Sequence, residues 1–171
     1  MKIANGKYEV LETPNVSAYI TDVQRARWER WISALEQGVF EQTTQGYLKT
    51  TDNCYCVIGT GLELFKDELK GKWENVYANG WLFKIDGEDG DFITTAPCAL
   101  APLLLTDYSD LSSIDSIAFL FTVTVRRTYG RTSPNPRQLG LAALSDVGTS
   151  FAEVASIMRL ATTTGYKLEL Q

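Results

Sequence analysis

Ile117-Ala118-Phe119-Leu120-Phe121-Thr122-Val123-Thr124-Val125 alternates with a period of two. Ile117, Phe119, Phe121, Val123 and Val125 fall on one face of an extended strand, and Ala118, Leu120, Thr122 and Thr124 on the other. A strand with one wholly apolar face is predicted to sit centrally in a sheet that is covered on that face. Candidates for the cover lie on both sides in the chain. Thr21 or Asp22 caps a helix that runs to Gln37, with Gly38 at its end. Its Trp28, Trp31, Ile32 and Leu35 recur at helical spacing and form one apolar face. Ser150-Phe151-Ala152-Glu153 is a capping box, in which the serine oxygen serves the third amide and the glutamate reaches back. The helix it opens buries Phe151, Val154, Ala155 and Met158 and ends at Gly165.

Other segments complete the layout. Lys7 to Glu12 reads as a first strand ended by Pro14, and Tyr166 to Leu170 alternates like a closing strand. Lys72 to Ala78 and Trp81 to Asp86 flank Asn79-Gly80, the dipeptide that favours a tight hairpin turn. A second turn, Gly87-Glu88-Asp89-Gly90, leads to an extended Asp91 to Thr94. Pro97 to Leu105 is predicted as a short helix or buried turn. Tyr55 to Ile58 reads as a short strand or helix entry, followed by a Gly59-Thr60-Gly61 turn and a helical Leu62 to Phe65. No repeat or low-complexity linker divides the 171 residues, so one globular domain, 1–171, is expected. The pattern gives an α+β fold, a mostly antiparallel sheet of about five to six strands packed by about two to three helices in a single layer.

Composition narrows the chemistry. The chain has no histidine. This excludes Ser-His-Asp and Cys-His catalysis and His-ligated zinc, and it leaves acid–base work to groups that would need strongly shifted pKa values. A formal net charge of −5, with 16 basic and 21 acidic residues, argues against bulk adhesion to DNA or to an anionic membrane. The longest apolar run, Ala99 to Leu105, is broken by Pro102 and is too short to span a bilayer. Met1 to Gly6 has no apolar stretch of the kind that secretory signals carry, and three cysteines are an odd number. Reduced thiols in a cytoplasm are therefore expected.

Several local patterns have a functional and a structural reading. Cys54, Cys56 and Cys98 could supply thiolates, but no histidine completes a zinc tetrahedron, and buried free cysteine is the simpler reading. The acidic turn from Asp86 to Asp91 lacks the spacing of a calcium loop and reads as solvated. A glycine turn before a helix can receive phosphate, yet Gly59-Thr60-Gly61 lacks both the dinucleotide pattern and a P-loop ending, which favours close backbone packing. Arg25, Arg27, Glu29, Arg30 and Glu36 on the first helix read as a solvated face, with ligand binding by the arginines as the alternative. No cofactor or metal signature is present.

One feature is uneven. From Ile85 to Val125 there is no Lys or Arg, while seven Asp or Glu occur. Arg126, Arg127, Arg131 and Arg137 then arrive within twelve residues that hold no acid. Tyr129 to Arg137 is loop-like by its glycine and prolines. Guanidinium groups hold phosphate or carboxylate through paired hydrogen bonds, and Tyr129, Thr132 and Ser133 offer hydroxyls or a stacking face. Two readings stand: the arginines pair with the chain's own acids, or they form an anion-binding loop. On the second, Arg131→Ala with Arg137→Ala is expected to abolish nucleotide binding and leave the melting temperature nearly unchanged.

Three segments resemble an uncharacterised family of small proteins common in bacteriophage and prophage genomes. They are Trp31 to Gln42 with Gly46-Tyr47-Leu48, Tyr55 to Phe65, and Leu141 to Ala155. The first is similar to the family's tryptophan helix followed by Ala-Leu, a glycine, an aromatic and a glutamine. The second is similar to its Tyr-Cys-Cys-Leu-Gly-Val-x-Cys-Glu-Leu-Phe block, with Val57 and Leu62 where the family has cysteines. The third is similar to its Leu-Asn-Asp-x-Gly-x-Ser-Phe-x-Glu-Ile-Ala ending, with Ser145 in place of the asparagine. The resemblance implies a phage accessory protein acting in the cytoplasm of a bacterial host, and it carries no activity with it.

Three functions follow as expectations. The first is a non-catalytic binder that sequesters a nucleotide-like ligand or defence signal. The second is a protein-interaction module that inhibits or redirects a host protein. The third is a histidine-free phosphoester enzyme, with Arg131 or Arg137 steadying charge and an acid from Asp86 to Asp91 holding metal. The partners implied are a small anionic ligand or a host protein, with a homo-oligomer also open, and neither bulk DNA nor a membrane.

Overall fold

Alternation at 121–125 places that segment in the middle of a sheet. The computed structural model describes residues 1–77, 80–85, 100–106, 121–128 and 135–168. In chain order the elements are β1 (Lys2–Ile3), β2 (Tyr8–Thr13), a 3-10 turn (Val16–Tyr19), α1 (Asp22–Glu36), β3 (Glu41–Gln42), β4 (Cys54–Tyr55) and α2 (Val57–Leu64). There follow α3 (Lys66–Leu69), β5 (Gly71–Tyr77), β6 (Gly80–Ile85), α4 (Ala101–Leu104), β7 (Thr122–Arg127), β8 (Arg137–Gly140), α5 (Leu141–Asp146), α6 (Phe151–Thr163) and β9 (Tyr166–Lys167). The main sheet runs β1-β2-β7-β8, with β9 also on β2, and its pairings are all antiparallel. β1 joins β2 at Tyr8 and Glu9, whereas β9 joins it at Glu12 and Thr13.

The expected α+β architecture is what these residues build. Phe121, Val123 and Val125 are buried, while Thr122 and Thr124 are half-buried, so the phase is right where the strand is described; 117–120 lie outside the described residues. The covering helices are the two predicted from their caps. Thr21 and Gln24 close a capping box on α1, and Ser150 and Glu153 close one on α6. Trp28, Trp31, Ile32 and Leu35 are buried from α1, and Phe151, Val154, Ala155 and Met158 from α6. Trp28 stacks on Trp31 at 5.8 Å and on Phe121 at 5.7 Å, which ties helix to sheet. Its indole Nε1 donates to Leu104 O at 2.9 Å, so the buried polar edge is satisfied.

Four sequence expectations change. Gly59, Thr60 and Gly61 lie inside α2 rather than in a turn before it, and Cys56 is the N-cap, its sulfur accepting from Gly59 N at 3.4 Å. The glycines admit close neighbours: a Cβ on Gly59 would lie 1.7 Å from Leu48 O, and one on Gly61 2.8 Å from Trp31 Cζ2. β1 has no counterpart among the strands expected from the sequence. It pairs with β2 across a turn in which Ala4, Asn5 and Gly6 have φ of 53°, 55° and 77°. β8 and α5 occupy a stretch that sequence left without elements. Helices also outnumber the expected two or three because α2 to α5 are short, the longest of them eight residues. The β5–β6 hairpin is present, with register shifting between Asn75 and Tyr77, and Ala101–Leu104 is the helix expected near Pro97 to Leu105. The turns at 78–79 and 87–90, the acidic run from Asp86 and the strand at 91–94 lie outside the described residues.

Candidate functional site

The strand register decides where the arginines go. Successive side chains of β7 point to opposite faces, so Val123, Val125 and Arg127 share the core face and Arg126 takes the other. Glu9 is opposite Arg126 and Tyr8 is opposite Arg127. Arg126 Nη2 donates to Glu9 Oε2, and this contact holds the Glu9 carboxyl below its ordinary value of 4.5. Arg126 is therefore held by an acid of the chain itself and faces away from Arg127.

Arg137 is not a loop residue. It opens β8, where it pairs in register with Val125, and so it too sits on the core face. Its guanidinium lies 4.7 Å from the centroid of the buried Tyr8 ring, and its Nη2 donates to the Tyr8 hydroxyl. Its Nε is buried and has no hydrogen-bond partner among the described residues. Arg127 is exposed and borders a cavity of about 470 Å³, lined also by Asn5, Gly6, Lys7 and Tyr8. The β1–β2 turn is fixed beside it, because Thr128 N donates to Lys7 O at 3.0 Å and Thr128 Oγ1 donates to Gly6 O. Among the described residues neither Arg127 nor Arg137 forms an ion pair. Tyr129, Arg131, Thr132 and Ser133 lie outside the described residues.

The site therefore joins two of the predicted arginines, sets Arg126 apart, and adds Lys7 and Tyr8. Both additions follow from a signal in the sequence. Asn5-Gly6 is the same hairpin dipeptide as Asn79-Gly80, and it brings Lys7 and Tyr8 back alongside β1. Chemically, one guanidinium and one ammonium, those of Arg127 and Lys7, line an open cavity, and the Arg137 guanidinium lies against Tyr8 of its wall, a set that suits an oxyanion.

The two described cysteines offer no competing centre. Burial pushes the Cys56 thiol up to about 11, and burial also raises Cys54, whose Sγ lies 3.8 Å from Glu41 Oε2. Both stay protonated at neutral pH. Cys98 lies outside the described residues. No group of three or more Cys, Asp or Glu able to hold a metal ion occurs among the described residues, and no helix among them is long and apolar enough to cross a membrane. The helix arginines are engaged internally: Arg25 donates to Thr162 O at 2.6 Å, and Arg27 and Arg30 pair with Glu68 at 3.2 and 2.8 Å. Comparison with models of known protein families, with curated proteins and with solved structures gives no match in any of the three.

Proposed function

We propose that this protein is a non-catalytic binder of a small anionic, nucleotide-like ligand, held where the β1–β2 turn meets the ends of β7 and β8. The observation that carries this reading is the placement of Arg127 and Arg137 around Tyr8, beside a cavity and without a carboxylate partner among the described residues, in a chain of net charge −5. Two guanidiniums that meet no carboxylate among the described residues of an acidic molecule are suited to an anion from outside the fold. Arg131, Thr132, Ser133 and Tyr129 stay in the proposal on sequence grounds, as a further cation and hydroxyls in the segment joining β7 to β8. Binding without turnover fits the absence of imidazole and the protonated state of both described thiols. In the setting the family resemblance implies, a phage accessory protein in a bacterial cytoplasm, the ligand is a host nucleotide or defence signal that is sequestered.

The test is thermal unfolding in low salt against inorganic phosphate and linear and cyclic nucleotides. A ligand at about a hundred times its Kd stabilises by about 2.7 kcal/mol, which is readily seen as a rise in melting temperature. We expect such a rise for phosphate-bearing ligands and its loss in Arg127→Ala. No rise across the panel overturns the reading.

A further inference from the structure

A second cluster of side chains shares no residue with the arginine cavity. Lys49 forms a bridge to Tyr55, and Trp81 N donates to Lys49 O at 2.9 Å, so the segment before β4 is stitched to the β5–β6 hairpin. This brings three rings from three strands around one ammonium: Lys49 Nζ is 5.3 Å from the Tyr55 centroid, 5.2 Å from that of Trp73 and 5.4 Å from that of Trp81. Aromatic faces attract cations, and a group of three is the arrangement that recognises alkylated ammonium. The cage has an anionic side as well. Glu63 accepts from Trp73 Nε1 and pairs with Lys66 at 3.2 Å, and its charge is felt at Lys49.

Lys49 is an imperfect occupant. Its ammonium carries three donors and makes no hydrogen bond or ion pair among the described residues, and rings accept such donors only weakly. Burial pushes its pKa below the ordinary 10.5, the sign of a charge partly stripped of water. A methylated ammonium keeps the attraction to the rings and has fewer donors, or none, to satisfy.

We propose that the Tyr55–Trp73–Trp81 cage is a binding site for a methylated ammonium group, with the Lys49 side chain as its tethered stand-in. The site is separate from the arginine cavity and does not depend on it. Its ligand is a quaternary amine, either free or as the side chain of a methylated lysine.

Tetramethylammonium chloride is titrated against the intact chain and against Lys49→Ala, with tryptophan fluorescence as the readout and sodium chloride as the salt control. Lys49→Ala is expected to give saturable binding at least about tenfold tighter than the wild type, since the competing cation is gone. Absence of saturable binding in a folded Lys49→Ala, or equal affinity in both chains, overturns the proposal. If Lys49→Ala does not fold, the wild type decides: saturating tetramethylammonium, and not sodium chloride, is expected to speed acetylation of Lys49 by an activated acetyl ester, read by peptide mass. An unchanged rate overturns the proposal. Choline and a trimethyl-lysine peptide then separate the two sources, and the tighter binder identifies the ligand.

Discussion

On the helical side of the molecule, Arg25, Arg27, Arg30 and Arg159 each end on an acceptor of the protein, whereas at the sheet end Arg127 and Arg137 reach no carboxylate among the described residues. The difference comes from the supply of acids. α1 carries Glu29 and Glu36 one above the other along its outer face, and Arg159 from α6 pairs with both at 3.0 and 2.9 Å. Glu68 of α3 serves Arg27 and Arg30 together. At the sheet end, among the described residues, the register sets Glu9 opposite Arg126, on the face that Arg126 occupies, and sets no acid opposite Arg127 or Arg137. Arginine content therefore says little about ligand binding until each guanidinium has been assigned a face and a partner.

The contrast can be sharpened by substitution. The largest loss of stability is expected on the helical side at Gly59→Ala, where the new Cβ meets Leu48 O at 1.7 Å and either α2 or residue 48 has to move. A loss of about 3 kcal/mol or more in urea unfolding is expected. Thr60→Val leaves the buried Trp31 Nε1, now donating to Thr60 Oγ1 at 2.8 Å, without an acceptor, and is expected to lose about 1–3 kcal/mol. Arg137→Ala removes the cation over Tyr8 and a donor to its hydroxyl, a loss of about 1 kcal/mol in the same assay. That differs from the near-zero effect expected when Arg137 is read as a loop residue. Arg159→Ala breaks two pairs that are largely in water and is expected to lose less than about 1 kcal/mol, the smallest effect of the set despite the bidentate geometry.

Acid separates Arg126 from its neighbours in another way. Because the Glu9 carboxyl is depressed in the folded state, its pair with Arg126 contributes stability above the ordinary carboxylate value of 4.5 and loses it as pH falls through the lowered one. Melting temperature measured from about pH 6 to about pH 3 is expected to fall less steeply in Glu9→Gln than in the wild type. Identical slopes would mean that Arg126 is not held by Glu9.

Local chemistry made most of the helices and strands legible, and distance hid the rest. Thr21 with Gln24 and Ser150 with Glu153 announce two helices within four residues each, and the alternation through Val125 sets its own phase. That phase extends without a break to Arg127 and separates it from Arg126, a division available in the sequence but masked there by the grouping of four arginines. Proline and glycine made Tyr129 to Arg137 read as loop, yet proline is tolerated just before a strand, and β8 begins directly after Pro136. Gly59 and Gly61 could not be assigned to a helix interior from sequence, since the reason for them is the approach of Leu48 and Trp31 in space. The same holds for the cage around Lys49, whose rings come from three strands.

The central claim is that Arg127 and Arg137, which reach no carboxylate among the described residues, meet an anion from outside. Calorimetric titration of a nucleotide panel into the wild type and into Arg127→Ala with Arg137→Ala tests it most directly. Saturable binding by the wild type that weakens with added salt, and at least about a hundredfold weaker binding by the double variant with its circular dichroism preserved, is the predicted result. Equal affinity in the two proteins, or no binding by the wild type to any phosphate-bearing ligand, would contradict it.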